Sequence, residues 1–311
     1  MCFEYPLHRQ TVLIRHANLC FFCVANSTLH FICCSAKNVQ VHHTMDPVKT
    51  LISGCSRIWE ARDTRTDGWP LTESPLTAIL ICLAYLFAAK MLGPKLMANR
   101  PPYDLRGALV TYNAFQIFFN GWMFYHICCV TWLKGYSLIC QPVDYSNNED
   151  ALQAISMGYF YCISKLLDLL DTLFFVLRKK DNHLTFLHIY HHICMLLTVW
   201  IGFRFISGGQ SAFLPTVNTL MNVGVHFYYL IAAMGPSFRK YLWWKKYLTV
   251  FQMFELVCIG LHGSQLLFVD CGFPSAIAWY YVAQTCIFLL LFKNFHSKTY
   301  PTNNNFHCKS K

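Results

Sequence analysis

The chain has 311 residues, of which 55% are hydrophobic and only 13% are charged. Soluble domains have roughly a quarter of charged residues, so about half of the expected charge is missing. This composition excludes a disordered chain, a soluble nucleic-acid-binding protein and a small secreted scaffold.

The apolar residues are concentrated in about seven stretches, each near the roughly 20 residues that a bilayer-crossing helix needs. They are residues 76–92, 108–133, 155–177, 186–205, 212–234, 248–268 and 275–295. The sequence therefore predicts an all-α, polytopic membrane protein with about seven transmembrane helices.

Basic residues are distributed unevenly between the two sides of these spans. The segments after the first, third, fifth and seventh spans are rich in lysine and arginine, whereas the loops opposite contain Lys134 and Arg204. Because positive charge favours cytosolic loops, we predict a cytosolic C-terminus and, with an odd number of spans, a lumenal or extracellular N-terminus. This topology also accounts for the net charge of +10 without a nucleic-acid partner.

The two ends of the chain differ from its middle. Residues 1–44 show no clear periodicity and no signal-peptide pattern, and a more ordinary sequence begins at Met45. We expect residues 1–44 to be an extension from a mis-start, with Met45 as the true start. Residues 45–296 are then the membrane domain, and residues 297–311 a cytosolic tail.

Two of the 16 cysteines differ from the others, half of which lie inside apolar spans as small buried hydrophobes. Cys140 and Cys271 lie in polar loops on the side opposite the basic segments. That side is the oxidising one, so we predict a disulfide between them.

The third span contains four polar residues, and ionisable groups inside a membrane are functional candidates. The spacing of Lys165, Asp168, Asp171 and Thr172 puts them on one helical face. A structural ion pair of Lys165 with one aspartate is an alternative, but it leaves the second carboxylate without a partner.

The fourth span begins with three histidines on one helical face, His188, His191 and His192. Histidines so spaced can bind a transition metal, or one of them can act as base or nucleophile on an acyl group. Di-iron membrane oxygenases and desaturases have such a box, but they need further histidine boxes that this sequence lacks. We therefore expect no metal.

These two motifs carry a resemblance to a known family. The segments 165–180 and 185–192 resemble the fatty acid elongases, the very-long-chain 3-oxoacyl-CoA synthases, and the insect members in particular. The segments 93–97, 140–146 and 241–249 match the same family. Shorter matches are Ser74-Pro75, Tyr112-Asn113, Gly135-Tyr136 and Gly235-Pro236.

The resemblance implies a seven-helix enzyme of the endoplasmic-reticulum membrane, with six helices forming an inverted barrel around an acyl tunnel. It implies the condensation of a long-chain acyl-CoA with malonyl-CoA to a 3-oxoacyl-CoA, CO2 and CoA, without a cofactor. The implied partners are the two CoA substrates, membrane lipids, the reductases and dehydratase of the elongation cycle and, in a homodimer, a second copy of the chain.

The resemblance also implies roles for individual residues. His191 would accept the acyl group as an acyl-imidazole, while His188 and His192 would orient it or transfer protons. Asn222 and His226 are further catalytic candidates. The residues assigned to substrate binding are Lys165, Asp168, Asp171, Thr172, Asn113, Asn218, Tyr228, Tyr229, Lys245 and Lys246. The family has a pairing similar to the predicted bridge between Cys140 and Cys271.

The fifth span departs from the family, whose pattern there is roughly N-x-x-x-H-x-x-M-Y-x-Y-Y. A gapless alignment puts Asn222 where the second catalytic histidine belongs, with Val225 and His226 at the Met and Tyr positions. A gapped alignment would match His226 to that histidine, but it shortens the helix by about one turn, so we prefer the gapless one. Smaller departures are Asp168 for Glu, His183 for Gln and Glu255 for Gln.

Three other functions compete with an active elongase. A catalytically impaired homologue acting as a partner in an elongation complex would fit the change at Asn222. A seven-span receptor would fit the span count, but not the histidines beside paired aspartates. A di-iron membrane oxygenase or desaturase would account for the histidine box, but it would need further boxes.

Overall fold

The computed structural model describes residues 47–300. The predicted extension 1–44, the start at Met45 and residues 301–311 of the predicted tail lie outside the described residues. Within residues 47–300 the chain forms helices and no strand, which confirms the all-α prediction.

Ten α-helices follow one another in this range. They are α1 Pro47–Glu60, α2 Pro75–Phe87, α3 Gly93–Met97, α4 Arg106–Val130, α5 Glu149–Asp168, α6 Leu170–Leu177, α7 Phe186–Phe205, α8 Phe213–Ala233, α9 Lys245–Ser264 and α10 Ser275–Thr299. A π-helical turn, Ala88–Leu92, joins α2 to α3. The first three residues of the predicted tail, 297–299, belong to α10, and α1 was not predicted.

Local sequence explains where several of these helices begin. The side chains of Ser74, Asn148 and Thr185 accept hydrogen bonds from backbone N–H groups in the first turns of α2, α5 and α7. Each residue is a preferred N-cap type, because its side-chain oxygen satisfies a donor that has no partner inside the helix. The Thr185 cap sets the start of the helix that contains the three histidines.

Each predicted span corresponds to a helix or to a pair of consecutive helices. Within the described range, four segments are long and apolar enough to cross a membrane, namely Pro75–Met97, Phe186–Phe205, Lys240–Leu267 and Ser275–Thr299. The helices α4, α5 and α8 are less apolar because they contain buried polar residues such as Asn113, Lys165 and Asn218. The protein is a polytopic, all-helical membrane protein.

Six of the segments form a closed ring. Going around it, α4 packs against α8, α8 against α9, α9 against α10, α10 against α7, α7 against α5, and α5 against α4. The segment that contains α2 lies outside the ring and packs against α7. Large apolar side chains such as Phe118, Phe254 and Leu290 are exposed on the outer surface, as expected of helices that face lipid.

A glycine allows the outer segment to approach the ring closely. A Cβ atom added at Gly93 would lie 2.5 Å from Cγ1 of Val176, so α3 could not pack on α6 at this distance with a larger residue. This contact joins the outer segment to the helix that follows Asp168.

One end of the ring, which we call the disulfide end, is closed by loops. Cys140 and Cys271 form a disulfide there, with their Cα atoms 5.5 Å apart. The backbone N–H of Gln210 donates to the carbonyl of Gln141 over 2.7 Å, which holds the disulfide loop against the segment after α7. The bridge therefore lies where the sequence predicted it.

A buried arginine fixes the segment before α2 at the same end. Arg204 is only 1% exposed and its guanidinium contacts Asp67 at 2.6 Å. It also donates to the carbonyl and the hydroxyl of Thr66, each over 2.7 Å, and lies over the ring of Trp59. The loop between α1 and α2 is thus attached to the end of α7.

Candidate active site

A cavity of about 280 Å³ lies inside the ring. Helices α7, α8, α9 and α10 supply most of its wall, and α5 and α6 contribute Asp168 and Asp171. Apolar side chains alternate with polar ones in this wall, which suits a ligand that is mostly apolar with a reactive polar group. We call the end where α7 begins the histidine end.

The three histidines of α7 all line the cavity. The ring centroids of His188 and His192 are 4.4 Å apart, and those of His191 and His192 are 5.7 Å apart. Nε2 of His188 lies 2.8 Å from Oγ1 of Thr172, which also bonds to the hydroxyl of Tyr85 at 2.8 Å. Because positions i, i+3 and i+4 share a helical face, one turn of α7 presents three imidazoles to one space.

A hydrogen-bond network extends from α5 to α8 and α9. The ammonium of Lys165 lies 2.9 Å from the Asp168 carboxylate and 2.8 Å from Oδ1 of Asn218. Nδ2 of Asn218 donates to Oε1 of Glu255 over 3.0 Å, and Tyr161 donates to Oδ1 of Asn218 over 2.8 Å. All of these groups are buried, and paired burial is what makes such charges tolerable in an apolar environment.

The imidazole of His226 is oriented by α4. Its Nδ1 lies 3.0 Å from Oδ1 of Asn113, and Nδ2 of Asn113 donates to the carbonyl of Leu109. Oδ1 is therefore the acceptor and Nδ1 of His226 carries the proton. Nε2 lies 3.9 Å from Oδ1 of Asp168, so this atom is the one that can exchange a proton.

Asn222 lies on the same face of α8, one turn before His226. Both residues line the cavity that the α7 histidines line. The Asn222 amide donates to Oδ1 of Asn120 over 3.2 Å. An amide can only form hydrogen bonds, whereas the imidazole can also accept a proton.

Comparison with known proteins identifies the family. The profile of the GNS1/SUR4 (ELO) family matches residues 70–307. A very long chain fatty acid elongase of Aedes aegypti is 46% identical over 76% of this chain and 67% of its own length. Elongase 7 of Drosophila melanogaster is 44% identical over 76% and 73%, and elongase 7 of Rattus norvegicus is 41% identical over 80% and 92%. The chain belongs to the ELO family.

Nine of the residues predicted for the site in this family member line the cavity. They are Asp168, Asp171, His188, His191, His192, Asn218, Asn222, His226 and Tyr229. Three more lie behind that wall and form hydrogen bonds with residues in it. Lys165 bonds to Asp168 and Asn218, Thr172 to His188, and Asn113 to His226.

Three predicted substrate-binding residues do not line the cavity. Tyr228 packs against Trp244, with ring centroids 5.6 Å apart, because its neighbour Tyr229 points inward and successive residues of a helix diverge by about 100°. Lys245 and Lys246 are exposed at the start of α9, where long cationic side chains keep their charge in water.

The histidine end of the cavity is surrounded by positive charge. His183 lines this end and stacks on Phe175, with centroids 4.9 Å apart. Burial lowers the pKa of His183, and the charges of Lys245, Lys180 and Arg178 lower this pKa further. Lys245 therefore lies close enough to the cavity end to act on it electrostatically, although it is not part of the wall.

Sequence reasoning missed several residues of the network. Gln116 is fully buried and donates to Asp168 over 2.8 Å, and Asn120 is fully buried beside Asn222. Together with Asn113 they form a polar stripe at positions i, i+3 and i+7 of an otherwise apolar span. That stripe was a usable signal, since polar residues inside a membrane helix face the interior of the bundle.

Proposed function

We propose that the protein condenses a long-chain acyl-CoA with malonyl-CoA, giving a 3-oxoacyl-CoA two carbons longer, CO2 and CoA. The observation that carries this proposal is a cavity in which three imidazoles of α7 meet an otherwise largely apolar wall. An aliphatic chain can occupy the apolar part while its thioester lies against the imidazoles. The names of the related elongases support the same reaction class.

His191 is the best acyl acceptor of the three histidines. Nε2 of His188 is already bonded to Thr172, and His192 lies between His188 and Tyr85. Among the described hydrogen bonds none involves the His191 imidazole, which contacts Phe288 by its ring. An imidazole nitrogen without such a bond is available for attack on the thioester carbon.

Two half-reactions follow from this assignment. In the loading half, the His191 nitrogen bonds to the acyl carbon, the carbon–sulfur bond breaks, and the thiolate takes the proton that the imidazole loses. In the condensing half, malonyl-CoA loses CO2, its enolate carbon bonds to the acyl carbon, and the bond to His191 breaks. Neither half requires a metal or other cofactor.

The charges outside the cavity fit CoA as the common carrier of both substrates. Two lysines and one arginine, Lys245, Lys180 and Arg178, lie near His183 at the histidine end, and such side chains bind phosphate groups. We propose that this end faces the cytosol, that the N-terminus and the disulfide end face the lumen of the endoplasmic reticulum, and that elongation-cycle reductases and a dehydratase consume the product.

Incorporation of labelled malonyl-CoA into 3-oxoacyl-CoA by microsomes that contain the protein tests the proposal. His191→Gln should lower the rate at least about 100-fold, because no other group carries the acyl chain. His126→Gln is the matched control, since His126 packs on Trp122 and Tyr125 away from the cavity. Full activity of His191→Gln would refute the assigned role.

A second candidate is a catalytically impaired homologue that acts within an elongation complex. The observation in its favour is the amide of Asn222, which can carry neither an acyl group nor a proton. If the folded wild-type protein incorporates no malonyl-CoA with any chain length, but co-purifies with active elongases, this second function replaces the first.

A further inference from the structure

The cavity contains more carboxyl groups than cationic groups to pair with them. Asp168, Asp171 and Glu255 line it, and within residues 47–300 its wall contains no lysine or arginine. The ammonium of Lys165, just behind the wall, pairs with Asp168 at 2.9 Å. Because an unpaired carboxylate is costly to bury, such a group keeps its proton.

The two oxygens of Asp168 both act as hydrogen-bond acceptors. Gln116 donates to Oδ1 over 2.8 Å and Lys165 donates to Oδ2 over 2.9 Å. Hydrogen bonds from an amide and an ammonium stabilise the charged form. Asp168 is therefore an acceptor and not a proton source.

Glu255 differs from Asp168 in its contacts. Oδ1 of Asn218 accepts from Lys165 and Tyr161, so the Asn218 amide must turn its nitrogen toward Glu255, where it donates to Oε1 over 3.0 Å. Among the hydrogen bonds described within residues 47–300, this is the one that the Glu255 carboxyl forms. In the neutral acid, Oε1 is then the carbonyl-type oxygen and the proton belongs to Oε2.

The position of Glu255 brings this acid beside the α8 residues of the site. Asn218 and Asn222 are four residues apart on one face of α8, about 6 Å along the helix axis. Glu255 is 9% exposed and lines the same cavity as Asn222, His191 and His226. The Glu255 carboxyl, which can donate a proton, is thus bonded to the residue one helical turn before Asn222, whose amide cannot.

The proposed reaction consumes one proton, and only in the condensing half. When the acyl carbon leaves His191 for the enolate carbon, the imidazole nitrogen retains the electron pair and must be protonated. We propose that the neutral carboxyl of Glu255 donates this proton, becomes a carboxylate, and is protonated again from water before the next turnover. This inference rests on the proposed condensation and adds the proton donor to it.

The test measures the two half-reactions separately in the full-length protein. Acyl-CoA alone reports loading, as one CoA released per protein and an acyl adduct on His191 detected by mass spectrometry. Malonyl-CoA added to the loaded protein reports condensation. Glu255→Gln keeps the acceptor for Asn218 but has no acidic proton, so loading should be unchanged while condensation slows about 100-fold.

Two further variants sharpen the result. Glu255→Asp retains an acid and should recover part of the condensing rate. Glu149→Gln changes an exposed carboxyl at the start of α5 and should leave both halves unchanged.

The outcomes separate this inference from the proposed function. Absence of any acyl adduct in the wild-type protein would refute the proposed function itself. Normal loading with a wild-type condensing rate in Glu255→Gln would refute only the role of Glu255, as would loss of loading in that variant. A slow condensing half in Asp171→Asn with a normal one in Glu255→Gln would reassign the donor to Asp171.

Discussion

The two ends of the helical ring are held together in different ways. At the disulfide end, a covalent bond between Cys140 and Cys271 and the ion pair of the buried Arg204 with the more exposed Asp67 attach loops to helix ends. Toward the histidine end, side chains such as His188 and Thr172 join neighbouring helices through hydrogen bonds, and they also line or support the cavity.

The two ends therefore differ in what they contribute, the disulfide end mainly to stability and the histidine end mainly to the proposed chemistry. The groups at the disulfide end contact loops and do not line the main cavity, so they can be optimised for rigidity alone. The groups near the histidines must also keep nitrogen and oxygen atoms available for a substrate, so their geometry is constrained by chemistry as well as by packing. We expect substitutions at the disulfide end to lower stability first, and substitutions at the histidine end to lower turnover first.

The largest effect is expected from removal of the disulfide. The bridge closes a loop with a sequence separation of 131 residues, and in the chain-entropy model such a loop stabilises the folded state by about 4–5 kcal/mol. Cys140→Ser should lower the thermal midpoint in detergent strongly, while the molecules that remain folded load an acyl group normally. Cys286→Ser, at an exposed free cysteine, is the control.

A loading defect in Cys140→Ser, measured at a temperature where this variant is folded, would show that the disulfide end and the histidine end are not independent. The cavity would then depend on the disulfide for its shape. A midpoint equal to that of the wild type would show that the bridge adds nothing to stability.

A smaller effect is expected from the ion pair at the same end. Hydrogen bonds from Arg62 and Arg204 lower the pKa of Asp67 from its usual 3.8, so the pair stabilises the folded state at neutral pH. Asp67→Asn should lower the free energy of unfolding by about 1 kcal/mol, because Asp67 is partly exposed and solvent weakens the pair. Glu73→Gln, at an exposed position, should have no effect.

The lowered pKa of Asp67 also predicts how the effect of Asp67→Asn on stability changes with pH. A carboxyl whose pKa is lowered by folding contributes stability above its unfolded pKa and loses it as the pH falls through the folded value. The difference between Asp67→Asn and the wild type should therefore shrink below about pH 4. A difference that stays constant down to pH 3 would contradict the ion-pair explanation.

The smallest effect is expected at the histidine end, on α8. Asn222→His introduces a further imidazole into the cavity, at the position of the family's second catalytic histidine in the gapless alignment, and should raise the condensing rate several-fold. His226→Tyr removes the imidazole that Asn113 orients, and should lower the rate by a similar factor. Malonyl-CoA incorporation measures both rates. If neither variant changes the condensing rate, these two residues of α8 take no part in the chemistry.

Much of the site could be predicted because its signals are local. The spacing of the α7 histidines and of Lys165, Asp168 and Asp171 follows from helical periodicity alone. The Cys140–Cys271 pairing followed from loop polarity and the side of the membrane. Tyr228, Lys245 and Lys246, which the motif match assigned to substrate binding, lie outside the cavity wall, because a motif match does not say which way a side chain points.

By itself the sequence determined the helical class, the approximate spans and most of the candidate residues that line the cavity, since hydropathy and periodicity depend on neighbours along the chain. Only the tertiary structure decided the order of helices in the ring, which nitrogen of His226 faces Asn113 and which faces Asp168, and the contact of Asn218 with Glu255. These features join residues 37 or more positions apart. Their geometry depends on how whole helices pack, and side-chain type along one helix does not determine that packing.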